Sequence, residues 1–240
     1  MPRIYLALLS MLSITAQAID VSHTASPPLI DGLNQDKQWQ QAKWLPLNQV
    51  IIGGQLDPAD FTGQYRLLWD SQAIYLQAKI TDNILYDNNP NPVEGYWSDD
   101  CLEVFIDEDA SGGDHQYNFN AFAYHVSLDN QVVDLSTDKT AKLYNSHVTS
   151  RWQRQSNPPY DMIWELAIRV YDDSFKDDKD AVPVTLHKDK KLGFMLAYCD
   201  NDGSEFREHF INSKDIVPLA GDKNRGWIDA SVFDTITLRE

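Results

Sequence analysis

The 240 residues carry 36 acidic and 20 basic side chains, which gives a formal net charge of −16. This balance argues against binding to nucleic acid and to anionic membrane surfaces, because both need basic patches. It suits a neutral ligand or cations such as Ca²⁺, and it equally suits a role in solubility alone. The length fits one large all-β domain or two small ones.

The first 18 residues have the features of a secretory signal peptide. Arg3 precedes an apolar run over residues 4–9, and Ala16-Gln17-Ala18 forms a small-x-small cleavage site. The apolar run is too short to span a bilayer, and no later segment resembles a transmembrane helix. We therefore expect an exported protein, periplasmic or extracellular, with one domain over residues 19–240.

The region before residue 64 predicts little regular structure. Asp36 is a candidate cap for a short N-terminal helix that carries Trp39. Trp39 and Trp44 are expected to fill the core. Residues 48–63 contain three glycines and a proline and predict a loop.

From residue 64 onward, alternating apolar and polar residues predict strands. Residues 64–70 and 73–81 predict a hairpin that turns at residues 70–72. Further strands are predicted at 101–107, 115–128, 131–135, 141–154, 160–170, 192–199, 206–212 and 234–238. With no alternation of strands and helices, this pattern indicates an all-β fold, an antiparallel sandwich or barrel.

Residues 97–107 place an aromatic ring before a strand that carries carboxylates. Leu102, Val104 and Ile106 alternate towards the core, and Glu103 lies on the opposite face. An aromatic ring suits the apolar C–H face of a sugar, and carboxylates accept hydrogen bonds from its hydroxyl groups. An ordinary surface strand with solvated acids would show the same pattern.

Two cysteines, Cys101 and Cys199, lie within predicted strands. In an exported protein they form either one disulfide or two buried thiols. The sequence leaves both possibilities open, because it does not give the distance between their Cα atoms.

Several short motifs follow one another in a characteristic order. They are Ile30-Asp31-Gly32, Trp39 with Ala42, Leu68-Trp69-Asp70, Ile74-Tyr75-Leu76, Thr81-Asp82-Asn83, Trp97-Ser98-Asp99-Asp100, Glu103 to Asp107, Trp164 to Ile168, and Leu192-Gly193-Phe194 with Asp200. This ordered set resembles the family 9 carbohydrate-binding modules, which are DOMON-like β-sandwiches. The resemblance runs from about residue 28 to the end. It implies a jelly-roll-like sandwich, which we expect to be a freestanding, monomeric module.

The resemblance also implies a binding site. Family members that bind sugar hold it between two tryptophans, which correspond here to Trp97 and Trp227. Polar side chains contact the hydroxyl groups, and the matching residues are Asp82, Glu103, Asn118, Asn120 and Asn224. The family pattern has an arginine where Asn118 stands, so that bidentate donor is missing. Two enclosing rings favour a chain end or a small saccharide.

Structural calcium is a further implication of the resemblance. Asp107, Asp109 and Asp114 offer oxygen ligands close together in the sequence. Their spacing lacks the EF-hand form, and an acidic hairpin turn explains them equally well.

An enzyme is one alternative. Asp82, Asp99, Asp100 and Glu103 include pairs of carboxylates, which glycoside hydrolysis requires. The chain has no nucleophile elbow, no H-E-x-x-H and no Cys/His zinc pattern. We therefore predict carbohydrate binding without catalysis.

A haem-binding or protein-interaction module that has lost sugar binding is the other alternative, since some DOMON-like relatives bind haem. Axial ligation would need Met162 or Met195 together with a histidine or a lysine. His115, His125 and His209 are the candidates. Scattered Met and His of this kind are typical of core and surface positions, so we expect no haem.

Overall fold

The structure, a computed structural model, describes residues 18–177 and 180–240. The predicted signal peptide therefore lies outside the described residues, except for Ala18. Two 3₁₀ helices, Lys37–Gln41 and Ala230–Val232, accompany fourteen strands in this part of the chain. The strands are β1 (Ile19–His23), β2 (Leu45–Pro46), β3 (Gln49–Ile52), β4 (Phe61–Trp69), β5 (Ile74–Asp82), β6 (Cys101–Asp107), β7 (Phe122–Ser127), β8 (Val132–Leu135), β9 (Ala141–Leu143), β10 (Val148–Arg154), β11 (Asp161–Ile168), β12 (Lys191–Asp200), β13 (His209–Asn212) and β14 (Asp234–Arg239). Within the described ranges, no helix is long and apolar enough to cross a membrane.

The strands form one hydrogen-bonded sheet in the order β10-β11-β5-β4-β1-β14-β12-β6-β7-β8-β9, with β2 on β4 and β13 between β12 and β3. The sheet has two wings, β10-β11-β5-β4 and β12-β6-β7-β8-β9, joined through β1 and β14. Leu76 and Trp164 of the first wing share a hydrophobic core with Val104, Tyr124 and Leu196 of the second. The wings therefore pack face to face, and the predicted all-β sandwich is confirmed.

Strand β1 departs from the predicted antiparallel arrangement. It runs parallel to both of its neighbours, β14 and β4, whereas the other strand pairs are antiparallel. The prediction of a loop over residues 48–63 was also wrong at Gln49–Ile52, which form β3 and pair with β13. Four residues next to Gly53 and Gly54 are too short a run for the period of two to be recognised.

The predicted hairpin at residues 64–81 is confirmed by β4 and β5. The strand predicted over residues 115–128 begins only at Phe122, because residues 116–121 form turns. Tyr117 has a φ of 133°, and the Asn118 side chain accepts a hydrogen bond from the Asn120 amide. Asparagine side chains that bond to nearby backbone compete with strand pairing in this way.

Strand β6 has the predicted alternation, but both of its faces are buried. Leu102 and Val104 point into the main core. Cys101 and Phe105 point the other way, into a second cluster that Phe233 and other C-terminal residues cover. This second cluster forms the outer face of the second wing.

Cys101 and Cys199 stand directly opposite each other on β6 and β12. Both are fully buried, and both are free thiols in the structure. Of the two possibilities left open by the sequence, the structure has the pair of buried thiols.

The outer face of the first wing is covered by the N-terminal segment. The predicted short helix is the 3₁₀ turn Lys37–Gln41, and the Asp36 side chain does not cap it but accepts from the Leu29 amide. Trp39 is fully buried, as predicted. Trp44 is only partly buried, contrary to the prediction, and lies beneath the Arg66 guanidinium, 4.3 Å from the ring centroid.

Candidate functional site

A cleft of about 580 Å³ opens on the outer face of the second wing. Strands β6, β7 and β8 form its floor, and the loops before β6, between β12 and β13, and before β14 form its walls. It is lined by Ile52, Tyr96, Trp97, Glu103, Ala123, His125, Asp134, Leu135, Phe206, Arg207, Asn224 and Trp227.

Two tryptophans on separate loops keep large exposed surfaces at this cleft. Trp97 is 43% exposed and Trp227 is 37% exposed, although most large apolar side chains of the protein are buried. Tyr96 packs edge-on against Trp97 with the ring centroids 4.9 Å apart. The Trp227 indole N–H donates to the Asn224 carbonyl at 3.1 Å, which fixes the ring relative to its own loop.

The loop that carries Trp97 is anchored by buried polar groups. Asp100 accepts hydrogen bonds from the Tyr86 amide at 2.7 Å and from the Asn201 amide at 2.8 Å. The Asn201 side chain donates in turn to the Ser98 carbonyl at 2.6 Å. Trp97 is therefore held in place by the body of the domain.

The loop that carries Trp227 lies directly on the second hydrophobic cluster. A Cβ atom at Gly226 would stand 2.6 Å from Met195 Cε and 3.0 Å from the Phe105 ring. The buried His115 ring donates from Nε2 to the Gly226 carbonyl at 2.7 Å. A side chain at this position would force Met195 and the Phe105 ring to shift, so Gly226 lets the loop that carries Trp227 lie close against the sheet.

Opposite charges meet at the floor of the cleft. Glu103 is 2% exposed, and its Oε2 lies 3.3 Å from His125 Nε2 and 3.7 Å from Arg207 Nη1. Burial by itself lowers the pKa of His125, but the adjacent Glu103 carboxylate outweighs burial and the pKa is raised. Arg207 also stacks its guanidinium 4.0 Å above the centre of the Phe210 ring.

Of the residues predicted to contact a ligand, the structure brings Trp97, Glu103, Asn224 and Trp227 together at this cleft. Asp82 lies elsewhere. It is 1% exposed at the end of β5, and its Oδ2 accepts from the Tyr198 hydroxyl at 2.6 Å.

Asn118 and Asn120 also lie outside the cleft, because they belong to the turns before β7. Asn118 Nδ2 is 3.2 Å from the Asp114 carbonyl, and Asn120 Nδ2 donates to the Gly112 carbonyl at 2.8 Å. The residue that faces Glu103 across the β6–β7 pair is His125. The arginine expected at Asn118 is thus absent there, and an arginine reaches the cleft from another segment.

A family model described as "Carbohydrate family 9 binding domain-like" matches residues 30–240. The chain belongs to this family. A solved family 9 carbohydrate-binding module from Caldicellulosiruptor kristjanssonii, in complex with cellotriose, is similar with a TM-score of 0.67 and 21% identity over 93% of this chain and 94% of that one. The same module in complex with glucose has the same TM-score and identity, over 93% and 96%. These likenesses show the fold.

Among curated proteins, endo-1,4-beta-xylanase A of Thermotoga maritima is 36% identical to this family 9 domain over 81 residues. The match covers 34% of this chain and 7% of the xylanase. The chain therefore spans less than a tenth of that relative's length.

Sequence reasoning missed several residues of the family 9 cleft, and they differ in how visible they are. His125 follows Ala123 with the period of two, so a strand limited to β7 and paired with β6 would have placed it beside Glu103. Arg207 and Phe206 lie in the segment between β12 and β13, which has no periodic signal. Tyr96 directly precedes Trp97, but it lies in a turn, where the sequence does not predict the direction in which a side chain points.

A group of buried acids lies at the ends of β5 and β12, apart from the cleft residues. Carboxylate oxygens of Asp82, Asp100 and Asp200 lie within 4.8 Å of one another, and Asp60, Asp200 and His209 form a second such group. Burial and repulsion from neighbouring carboxylates raise the pKa of Asp82 to about 7 and that of Asp100 to about 9. In the described chain, Oδ1 atoms of Asp60 and Asp200 are inaccessible and accept no hydrogen bond. These orphaned oxygens fit an oxygen-seeking cation.

The acidic turn after β6 has a different character. Asp107 accepts from the Gly112 amide at 2.8 Å, and Asp109 accepts from the Ser111 amide at 2.9 Å. Asp114 lies within reach of the Asn118 side-chain amide. These carboxylates accept hydrogen bonds within the turn itself, as expected of an acidic hairpin turn, and the calcium prediction for this segment stays a prediction.

Apart from Glu103, the carboxylates and the methionines behind the two alternative functions do not line the cleft. Asp82 and Asp100 lie in the acid group, and Asp99 accepts from the Asn89 amide at 2.8 Å. Met162 and Met195 are fully buried in two different hydrophobic clusters. Neither methionine lines the cleft.

Proposed function

We propose that this family 9 domain binds carbohydrate without cleaving it, in the cleft bordered by Trp97 and Trp227. The observation that carries the proposal is the combination of two exposed tryptophans with a buried Glu103 whose Oε2 accepts no hydrogen bond within the described residues. The indole rings would cover the C–H surface of a sugar, and Glu103 would accept from its hydroxyl groups.

Further polar groups at the cleft would fix the orientation of the sugar. Asn224 would contribute its amide, and Arg207 would supply N–H donors in place of the arginine that the family pattern has elsewhere. Side chains on both walls restrict the space, which favours a chain end or a small saccharide. Because the similar module was solved with cellotriose and with glucose, these two sugars are the first ligands to test.

Replacing Trp97 or Trp227 by alanine is expected to weaken sugar binding about tenfold each, since a stacked ring contributes on the order of 1–2 kcal/mol. Isothermal titration of the purified chain with glucose, cellobiose, cellotriose and xylose measures the affinity. Asn118→Ala and Asn120→Ala are matched controls outside the cleft and should bind as the parent does.

Absence of heat with every sugar would contradict the proposal, and so would unchanged affinity in both tryptophan variants. The first result would leave a protein-interaction module that has lost sugar binding as the function. Loss of binding in Asn118→Ala or Asn120→Ala would move the site to the turns before β7.

We also propose that structural calcium is held by Asp60, Asp82, Asp100 and Asp200, which belong to the two overlapping acidic groups that share Asp200. Holding several carboxylates together away from water costs free energy. Bound calcium would offset this cost because it neutralises their charge. Export also remains part of the proposed function, since a signal peptide is predicted over residues 1–18.

Calcium at one hundred times its dissociation constant is expected to stabilise the fold by about 2.7 kcal/mol, raising the melting temperature by about 5–10 °C over that in EDTA. Asp200→Asn should remove this response without lowering the melting temperature in EDTA, because it removes repulsion. Asp109→Asn, in the acidic turn, should respond as the parent does. Equal melting temperatures of the parent in EDTA and in calcium would refute the assignment.

A further inference from the structure

Three donors of different chemical type meet at the floor of the cleft. Glu103, His125 and Cys199 lie on β6, β7 and β12, which are neighbouring strands. All three side chains are buried, and one ligand atom from each lies within 4.8 Å of the other two. Donors held this closely on paired strands can share one ion.

The hydrogen bonding of these donors is incomplete. Glu103 Oε2 is inaccessible and accepts no hydrogen bond in residues 18–177 and 180–240. His125 Nδ1 lies 3.3 Å from the Ala123 carbonyl, which can only accept, so Nδ1 is the protonated nitrogen of the neutral ring. His125 Nε2 then directs a lone pair towards Glu103 Oε2, 3.3 Å away. A proton on Nε2 can join these two groups, and a metal ion can take the place of that proton.

The types of donor select the cation. Zn²⁺ binds thiolate, imidazole and carboxylate in tetrahedral sites, whereas Ca²⁺ takes oxygen alone. The Cys199 thiol is fully buried beside the other two donors, and metal binding would displace its proton, because cysteine ligates metal as a thiolate.

Arg207 supplies the positive charge at these donors in the structure. Its Nη1 donates to Cys199 Sγ at 3.0 Å and lies 3.7 Å from Glu103 Oε2. Residues 201–208, which carry Arg207, contain no helix or strand. A guanidinium and a metal ion cannot occupy the same donors, so the two would compete.

We propose that Glu103, His125 and Cys199 form a site for a thiophilic divalent cation of the Zn²⁺ class, which binds when Arg207 withdraws. Glu103 and His125 line the open cleft, so a fourth ligand would reach the ion from that side. Because Glu103 also belongs to the proposed sugar site, cation and sugar compete. That competition rests on the proposed function, and the cation site does not.

Cobalt(II) tests the site independently of any sugar, because it accepts zinc ligands and absorbs near-ultraviolet light through cobalt–thiolate bonds. The full chain with reduced thiols is titrated with Co²⁺. We expect this absorption in the parent, its loss in Cys199→Ser, and binding weakened about tenfold or more in His125→Ala. Cys101→Ser is the matched control, since it removes a buried thiol outside the donor set, and it should retain the absorption.

Arg207→Met is expected to bind Co²⁺ about tenfold more tightly than the parent, because it removes the competing charge. Thermal unfolding shows that each variant is folded. The proposal fails if neither the parent nor Arg207→Met shows thiolate absorption, or if Cys199→Ser retains it.

Sugar titration with and without Zn²⁺ then tests the competition. We expect Zn²⁺ to lower sugar affinity in the parent and to have no effect in Cys199→Ser. Cobalt binding without binding of any sugar would refute the proposed function and leave the cation site standing. Sugar binding without cobalt binding would refute the cation site and leave the proposed function standing.

Discussion

Replacing Glu165 by alanine is expected to lower the free energy of unfolding by about 4 kcal/mol, because it strips four donors of their acceptor. Glu165 is fully buried on β11. Its carboxylate accepts from Trp39 Nε1 at 3.0 Å and from Gln77 Nε2 at 2.7 Å. It also accepts from the backbone amides of Asp31 at 3.1 Å and Gly32 at 2.9 Å.

The loss extends beyond these four bonds. Gln77 uses its Oε1 to accept from Arg66 Nε at 2.8 Å, and Arg66 donates to the Trp39 carbonyl at 2.8 Å. Removing Glu165 therefore leaves the Arg66 charge without its nearby carboxylate, whose field raises the arginine pKa against the lowering by burial. The N-terminal segment would lose its attachment to the first wing.

Urea unfolding, followed by tryptophan fluorescence, measures the effect. Glu165→Gln keeps the shape and one acceptor oxygen, so about half of the loss is expected, on the order of 2 kcal/mol. Glu205→Ala, at an exposed position, should change stability by less than about 0.5 kcal/mol. A Glu165→Ala protein within 1 kcal/mol of the parent, about a quarter of the expected loss, would contradict this account.

The predictions that held were those that depend on a period of two. Leu102, Val104 and Ile106 face the main core because alternation along a strand is imposed by backbone geometry. The β4–β5 hairpin was predictable for the same reason. Short strands such as β3 escaped notice, since four residues do not establish a period.

The site could be predicted only in part, and the reason differs from residue to residue. Trp97 precedes a strand whose residues alternate with a period of two, and Glu103 lies within that strand. The pattern of this strand was therefore enough to place both residues. Asp82 also follows a periodic strand, but burial against Tyr198 depends on the packing of β5 on β12, which no local pattern reveals. Arg207 reaches the cleft through a tertiary contact with Cys199.

Asn118 shows how one misplaced boundary misdirects a site prediction. The family resemblance assigned Asn118 and Asn120 to the ligand, within a strand predicted over residues 115–128. The turns at residues 116–121 instead direct both side chains to their own loop. Within β7, which begins at Phe122, the residue paired with Glu103 is His125.

Replacing Glu103 by alanine is expected to weaken sugar binding at least about a hundredfold, or about 3 kcal/mol. Two effects add. The sugar loses its charged acceptor at the floor of the cleft, and Arg207 and His125 lose the carboxylate that lies 3.7 Å and 3.3 Å from them. Without that carboxylate, burial favours the neutral form of His125, and Arg207 keeps only its existing hydrogen bond to the Cys199 sulfur at 3.0 Å.

Glu103→Gln separates these two effects, because it keeps an acceptor oxygen and removes the charge. We expect it to bind sugar about tenfold more weakly than the parent, between the parent and Glu103→Ala. Isothermal titration gives the affinities, and thermal unfolding shows that both variants are folded. Parent-like affinity in a folded Glu103→Ala protein would mean that the sugar lies on the tryptophans alone, above the floor. A loss in Glu103→Gln as large as that in Glu103→Ala would assign the whole effect to charge.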